Sequence, residues 1–168
     1  VYFLEPANYY PSPFSWHNLT SGEMFGGIAL ALLAGFLSRV SRGALNHYVH
    51  RIFITTSLSV LSFLIVFASG GSIEAHFHVF VVLAIVTLYY DWRLPWVAFV
   101  LVILHRLIFN YVEPQWIYHY GQNETALFAH TFFVLLAVTF AVLIAQQGRR
   151  SIQALAQAND LLARKVGS

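Results

Sequence analysis

Five apolar stretches recur along the chain with short polar connections between them: Gly22 to Ser38, Arg51 to Ser69, Ser72 to Tyr90, Leu94 to Tyr111 and Thr125 to Gln146. Each approaches the ~20 residues a helix needs to cross hydrocarbon ~30 Å thick. None alternates polar and apolar residues with period two, so the pattern predicts helices and not the strands of a membrane barrel. In hydrocarbon a helix satisfies its own backbone polar groups. The predicted fold class is therefore all-α, a polytopic membrane helical bundle with five transmembrane helices. Composition agrees: of 168 residues, 58% are hydrophobic and only 10% charged, and mean hydropathy is +0.66, outside the range of a soluble domain.

Charge adds an orientation. Arg39, Arg42 and Arg51 bracket the first connection, Arg93 lies in the third, and Arg149, Arg150, Arg164 and Lys165 follow the fifth stretch. An N-terminus outside and a C-terminus in the cytoplasm collects all of these on the inner side, as positive-inside retention requires. Aromatic residues mark both interfaces, with Tyr9, Tyr10, Phe14, Trp16, Tyr111, Trp116, Tyr118 and Tyr120 outside and Tyr89, Tyr90, Trp92 and Trp96 inside. The organisation expected is an outer aromatic segment over 1–21, a transmembrane domain over 22–146, and a cytoplasmic helix over 147–168. No basic n-region precedes a short apolar core, so no cleavable signal peptide is expected. A net charge of +2 gives no reason to expect nucleic acid.

Histidine is the chemically informative residue, because the chain has no cysteine and one methionine and so lacks thiolate sites. His76 and His78 lie four and six residues after Ser72, His105 six before Tyr111, and His130 five after Thr125. At ~1.5 Å of rise per residue, all four fall ~6–9 Å below the outer surface. Imidazole in hydrocarbon needs a partner for each ring nitrogen, so rings gathered at one level point to a ligand site or a proton path. His76 and His78 are ~200° apart around a helix, which implies two roles. Glu74 stands just ahead of them, either as a partner for a ring N–H or as an acid favoured by the helix dipole. Arg106 is the only cation inside a stretch and needs an anion, with Glu74, Glu113 or a bound carboxylate as candidates. His47 and His50 sit about a bilayer thickness away, where His50 is a candidate for a second metal site. His17 and His119 fall in the outer aromatic loops.

Two kinds of occupant suit the layer. Zinc or copper needs three or four rings within ~2.0–2.1 Å of one point. Haem needs two opposing rings, an apolar slot and an anchor for its propionates; Phe77, Phe80, Phe109, Phe128, Phe132 and Phe133 lie at the same depth as candidate walls. The metal-ligand candidates are thus His76, His78, His105, His130 and His50, with Glu74 and Arg106 as further cofactor contacts. No activated nucleophile, carboxylate pair or phosphate loop can be assembled, so catalysis within these residues is not expected.

The segment Gly70-Gly71-Ser72-Ile73-Glu74-Ala75-His76-Phe77-His78, followed by Tyr89-Tyr90-Asp91-Trp92-Arg93 and by His105 near the end of the next helix, resembles a membrane-integral sensor module of bacterial signalling proteins. In that group it stands ahead of diguanylate cyclase, chemoreceptor or histidine kinase output domains. The resemblance runs from about Arg51 to Gln146. It departs where the family often has a second histidine beside the one at the end of the fourth span, since Arg106 occupies that place. What it implies is an input domain in the bacterial inner membrane, attached to a cytoplasmic signalling domain, that reports a redox, gas or metal cue through a histidine-bound centre. Haem b is the preferred occupant, with copper or zinc as the alternative. A full-length protein with a cyclase domain would be an enzyme; this segment would not.

Beyond the fifth stretch, Ile152, Leu155, Asn159, Leu162 and Val166 are spaced 3, 4, 3 and 4, as along a coiled-coil seam. Homodimerisation through this helix is expected, with Asn159 at a position where a buried amide sets register. Gly148 is a candidate flexible joint. The competing class is a cytochrome b-like electron-transfer membrane subunit, and the seam counts against it, because such a subunit normally ends near its last span. Transport has little support, since there is no repeat and no broken Gly/Pro helix pair.

Overall fold

The computed structural model describes residues 21–44, 47–114, 117 and 124–166. The expectations placed on Tyr9, Tyr10, Phe14, Trp16, His17, Trp116, Tyr118, His119 and Tyr120 lie outside them. The described residues form six helices: α1 (Gly22–Ala44), α2 (His47–Ala68), α3 (Ile73–His76), α4 (His78–Thr87), α5 (Arg93–Val112) and α6 (Glu124–Val166). Among the described residues none is in a strand. Four helices, α1, α2, α5 and α6, are long and apolar enough to cross a bilayer.

The third expected span is different. Where Ser72 to Tyr90 was to be one helix, the chain makes a four-residue α3 and a ten-residue α4. The junction falls at Phe77, whose amide donates to Glu74 O at 3.1 Å while Phe80 N donates to Phe77 O at 3.0 Å. These tighter bonds locally replace the α-helical pattern. At the far end, Tyr89 and Tyr90 donate three residues back, and Tyr90 takes φ +51°, which stops α4. Ten residues of helix span only ~15 Å.

Local chemistry explains the turns. The α2 C-terminus closes with Gly71 N donating to Val66 O and Gly70 N to Phe67 O, both at 3.0 Å, the paired bonds of a Schellman cap. Gly70 has φ +65° and Gly71 φ +77°, conformations open to glycine without steric cost. Ser72 then caps α3 by accepting from Ala75 N at 3.3 Å. At the opposite end, Asp91 Oδ1 accepts from Arg93 N at 3.2 Å and so starts α5. Pro95 fits the first turn of that helix because its missing N–H is not needed there.

α5 packs on α2, α4 and α6, and α4 packs on α2 and α6, while α1 lies against α2 alone to any extent. The α1 contact uses small residues: Ala31, Ala34 and Ser38 are buried, Ser57 Oγ donates to Ala31 O at 2.8 Å, and Gly27 leaves the space that Leu64 fills. Val79, Leu83, Ala98, Val102, Val134 and Val138 make the central core between α4, α5 and α6. A second cluster of Val82, Val86 and Leu94 packs with Tyr48, Ile52 and Leu58. Around this core the helices present large apolar side chains outward, among them Phe36, Val81, Val100, Phe140 and Ile144, a surface suited to lipid.

The two ends of the bundle differ. One gathers Ser38, His50, Arg51, Asp91, Arg93 and Arg149: Arg51 approaches Asp91 at 3.8 Å and lies over Tyr89, and Arg93 lies over Tyr48. The other gathers the end of α2, all of α3, the end of α5 and the start of α6, and holds His76, His105 and His130.

Candidate functional site

At the histidine end, Ser62, Phe63, Val66, His76, Val79, Val102, His105, Arg106, Ile117 and His130 line one cavity of about 20 Å³. His76 ends α3, His105 and Arg106 lie in the last third of α5, and His130 is in the second turn of α6. Three elements remote in sequence thus bring imidazoles to one level. α3 aims His76 inward because the Gly70–Ser72 turn folds the chain back from α2 and Ser72 starts a helix one turn ahead of the ring.

The tautomer of His76 follows from its hydrogen bond. Nδ1 lies 2.6 Å from Ser72 O; a carbonyl only accepts, so Nδ1 carries the proton and, in a neutral ring, Nε2 keeps the lone pair. A backbone acceptor on one ring nitrogen is the usual way a metal-ligating histidine is oriented. The His76 and His130 ring centroids are 5.7 Å apart with planes at 72°. His105 is held by aromatic faces, stacked on Phe63 at 4.0 Å and 4° and packed on Phe109 at 5.0 Å. Arg106 is only 4% exposed, so its guanidinium belongs to the interior. Glu74 and Glu113 are exposed and outside the cavity lining. The acid at Glu74 sits in the first turn of α3, where the helix dipole favours it.

His78 goes elsewhere. It lines a separate cavity of about 380 Å³ between α1, α2 and α4, with Met24, Ile28, Leu58, Leu61, Leu64, Ile65, Val82 and Ile85. His50 is at the arginine-rich end, where its Nδ1 lies 2.9 Å from Ser38 Oγ and 2.6 Å from Ser38 O, tying α2 to α1. His47 is exposed. Among the described residues no three His, Asp or Glu side chains converge as a ready-made metal site.

Two contributors had no sequence signal of their own. Phe63 holds His105, and Ile117, fully buried, closes the cavity from the connection between α5 and α6. Asn110 is also fully buried, one helical turn beyond Arg106. The expected aromatic walls lie mostly outside: Phe77, Phe128, Phe132 and Phe133 are exposed, and Phe80 and Phe109 alone of the six are half-buried.

No known family model, curated protein or solved structure matches this chain.

Proposed function

We propose that the chain is a membrane-embedded sensory input domain whose histidine cluster holds a metal centre, haem b first, and whose last helix carries the resulting signal into the cytoplasm. The observation that carries this reading is that His76, His105 and His130, from three separate elements, line one cavity beside the buried Arg106. The resemblance of the Gly70–His78 and Tyr89–Arg93 segments to bacterial sensor modules supports the signalling role, the spacing of Ile152, Leu155, Asn159, Leu162 and Val166 supports a dimer, and the placement of the basic residues supports an orientation with the C-terminus inside.

The donor chemistry suits haem. His76 has its tautomer fixed by Ser72 O, and the His130 ring stands 5.7 Å from it, so these two imidazoles would hold the group. The guanidinium of Arg106 is the natural partner for propionates. Bound iron porphyrin would supply reversible one-electron chemistry. The space differs: about 20 Å³ accommodates one water or one ion, so Phe63, Val79, Val102 and Ile117 must yield for a macrocycle. That volume favours a second reading, a single copper or zinc ion held by the same rings.

The output side follows from α6, which runs without a break for 43 residues from the His130 region to Val166. His130 is therefore on the element that leaves the bundle. A change in its packing acts on that helix directly and needs only two packed states.

An absorption spectrum with elemental analysis of the detergent-purified chain tests the proposal. A Soret band that shifts on reduction, with near-stoichiometric iron, is expected. Stoichiometric copper or zinc without that band selects the second reading. Neither metal nor chromophore, after expression with haem precursor and metal supplied, overturns both.

A further inference from the structure

The arginine-rich end of the bundle holds a pocket that the metal centre does not use. About 480 Å³ in volume, it opens between the start of α2, the turn from α4 to α5, and α6 where it leaves the bundle, and Arg51, Tyr89, Tyr90, Asp91, Arg149 and Gln153 line it. Three parts of the chain far apart in sequence build this site. The turn is fixed by Tyr89 N donating to Val86 O, by Tyr90 N donating to Thr87 O, and by the φ of +51° at Tyr90. The Tyr90 ring lies against Gly148, which seats Arg149, the next residue of α6, on the same pocket as Arg51.

Charge selects the ligand. Two guanidiniums stand against one carboxylate, so the lining is net positive. Asp91 is already engaged, since its Oδ1 accepts from Arg93 N at 3.2 Å. Its Oδ2 is 3.8 Å from Arg51, too far for a hydrogen bond, and the Arg51 side chain is 36% exposed against 15% for Asp91. Arg149 is exposed and has no acidic partner among the described residues. Both guanidiniums therefore keep N–H donors for an anion, and such planar forks match the paired oxygens of a phosphate. Gln153, a turn beyond Arg149, adds an amide donor. Position then selects the source of the phosphate. α2 and α6 run from this pocket into long apolar stretches, and Leu88, Leu143 and Ile144 on that side are more than half exposed, a surface suited to acyl chains. Basic pockets between membrane helices on the positive side are sites for anionic headgroups. We propose that this pocket binds the phosphate of an anionic phospholipid, bridging Arg51 on α2 to Arg149 on α6. A headgroup held there ties the exit helix to the bundle. The inference rests on the chain crossing a membrane and not on the metal centre, so either can fail alone.

The test is native mass spectrometry of the purified full chain in a neutral detergent, titrated with phosphatidylglycerol, with phosphatidylcholine of the same acyl chains, and with glycerol phosphate. Saturable one-to-one retention of phosphatidylglycerol, about fivefold or more tighter than phosphatidylcholine, is expected from a headgroup whose net charge meets unpaired guanidinium. Arg51→Gln and Arg149→Gln should each erase most of that preference. Arg164→Gln removes the same charge farther along α6 and should keep it. Equal retention of the two lipids by the unmodified chain, an undiminished preference in the Arg149→Gln protein, or an equal loss in Arg164→Gln would overturn the proposal. Glycerol phosphate binding as tightly as the lipid would assign the site to a soluble phosphate and overturn the lipid source. The comparison on the unmodified chain decides the matter even where the variants do not fold.

Discussion

His76, His105 and His130 share a cavity but are held by different forces, a backbone carbonyl for His76 and stacked aromatic rings for His105. His76→Ala and His130→Ala should each remove most of the bound metal or chromophore, because their imidazoles pack edge to face across the cavity. His105→Ala should shift its spectrum more than its content. His78→Leu should leave the absorption spectrum and metal content unchanged, since its ring faces the other cavity; paired spectra and elemental analysis of the four proteins check this, and a His78 effect equal to that of His76 would contradict it. Gly70 makes a separate point at the same scale. Its φ of +65° lies where L side chains are strained, so Gly70→Ala should destabilise the fold by about 1 kcal/mol, read from thermal unfolding in detergent. Because that turn sets where α3 begins, metal content should fall with it.

At the scale of elements, α6 is held to the bundle where Tyr90 meets Gly148. The Tyr90 ring occupies the space a Cβ on Gly148 would need, and Tyr90 itself has φ +51°. Gly→Ala within a helix ordinarily adds ~1 kcal/mol of stability. Here the sign should invert, with Gly148→Ala costing about 1 kcal/mol by overpacking, and the loss should disappear when Tyr90→Ala is added, as a double-mutant cycle on thermal stability would show. The glycine first read as a flexible joint is a contact surface inside an unbroken helix. This illustrates what the sequence could disclose. The four long apolar helices and the grouping of His76, His105 and His130 near one end follow from chain distance and rise. Azimuth was not legible, because helices in hydrocarbon are apolar on every face and carry no amphipathic mark of the side that meets the core. Hence Phe128, Phe132 and Phe133, candidate walls by depth alone, lie on the surface, while Phe63, with no mark in the sequence, lines the cavity. The break at Phe77 was equally hidden, since its residues keep right-handed helical angles and an apolar run reads the same with or without an interruption.

For the whole molecule, the remaining question is what covers the exposed end of α6. Ile152, Leu155 and Leu162 are all more than half exposed, and with Asn159 they fall along one stripe. A helix projecting alone in water with that stripe uncovered has little tertiary support, whereas a second copy in parallel register would bury it and place the two Asn159 amides together. The absence of cysteine allows a clean measurement, because any cysteine introduced is the only one. Leu155→Cys lies on the stripe and Gln157→Cys on the opposite side of the same helix turn. In membranes treated with a mild oxidant, Leu155→Cys should form a disulfide-linked dimer quickly and nearly completely, and Gln157→Cys should lag by about tenfold or more, since the sulfurs of a disulfide need Cβ atoms ~3.5–4.5 Å apart. Asn159→Val should strengthen cross-linking but blur this contrast between positions, as loss of a buried amide relaxes register. Equal rates at both positions would mean collision and not a seam, and would leave α6 as a helix lying on the membrane surface. A dimer with the expected contrast would join two copies of His130 to one rigid exit, so that a change at either cluster reaches the same pair of helices.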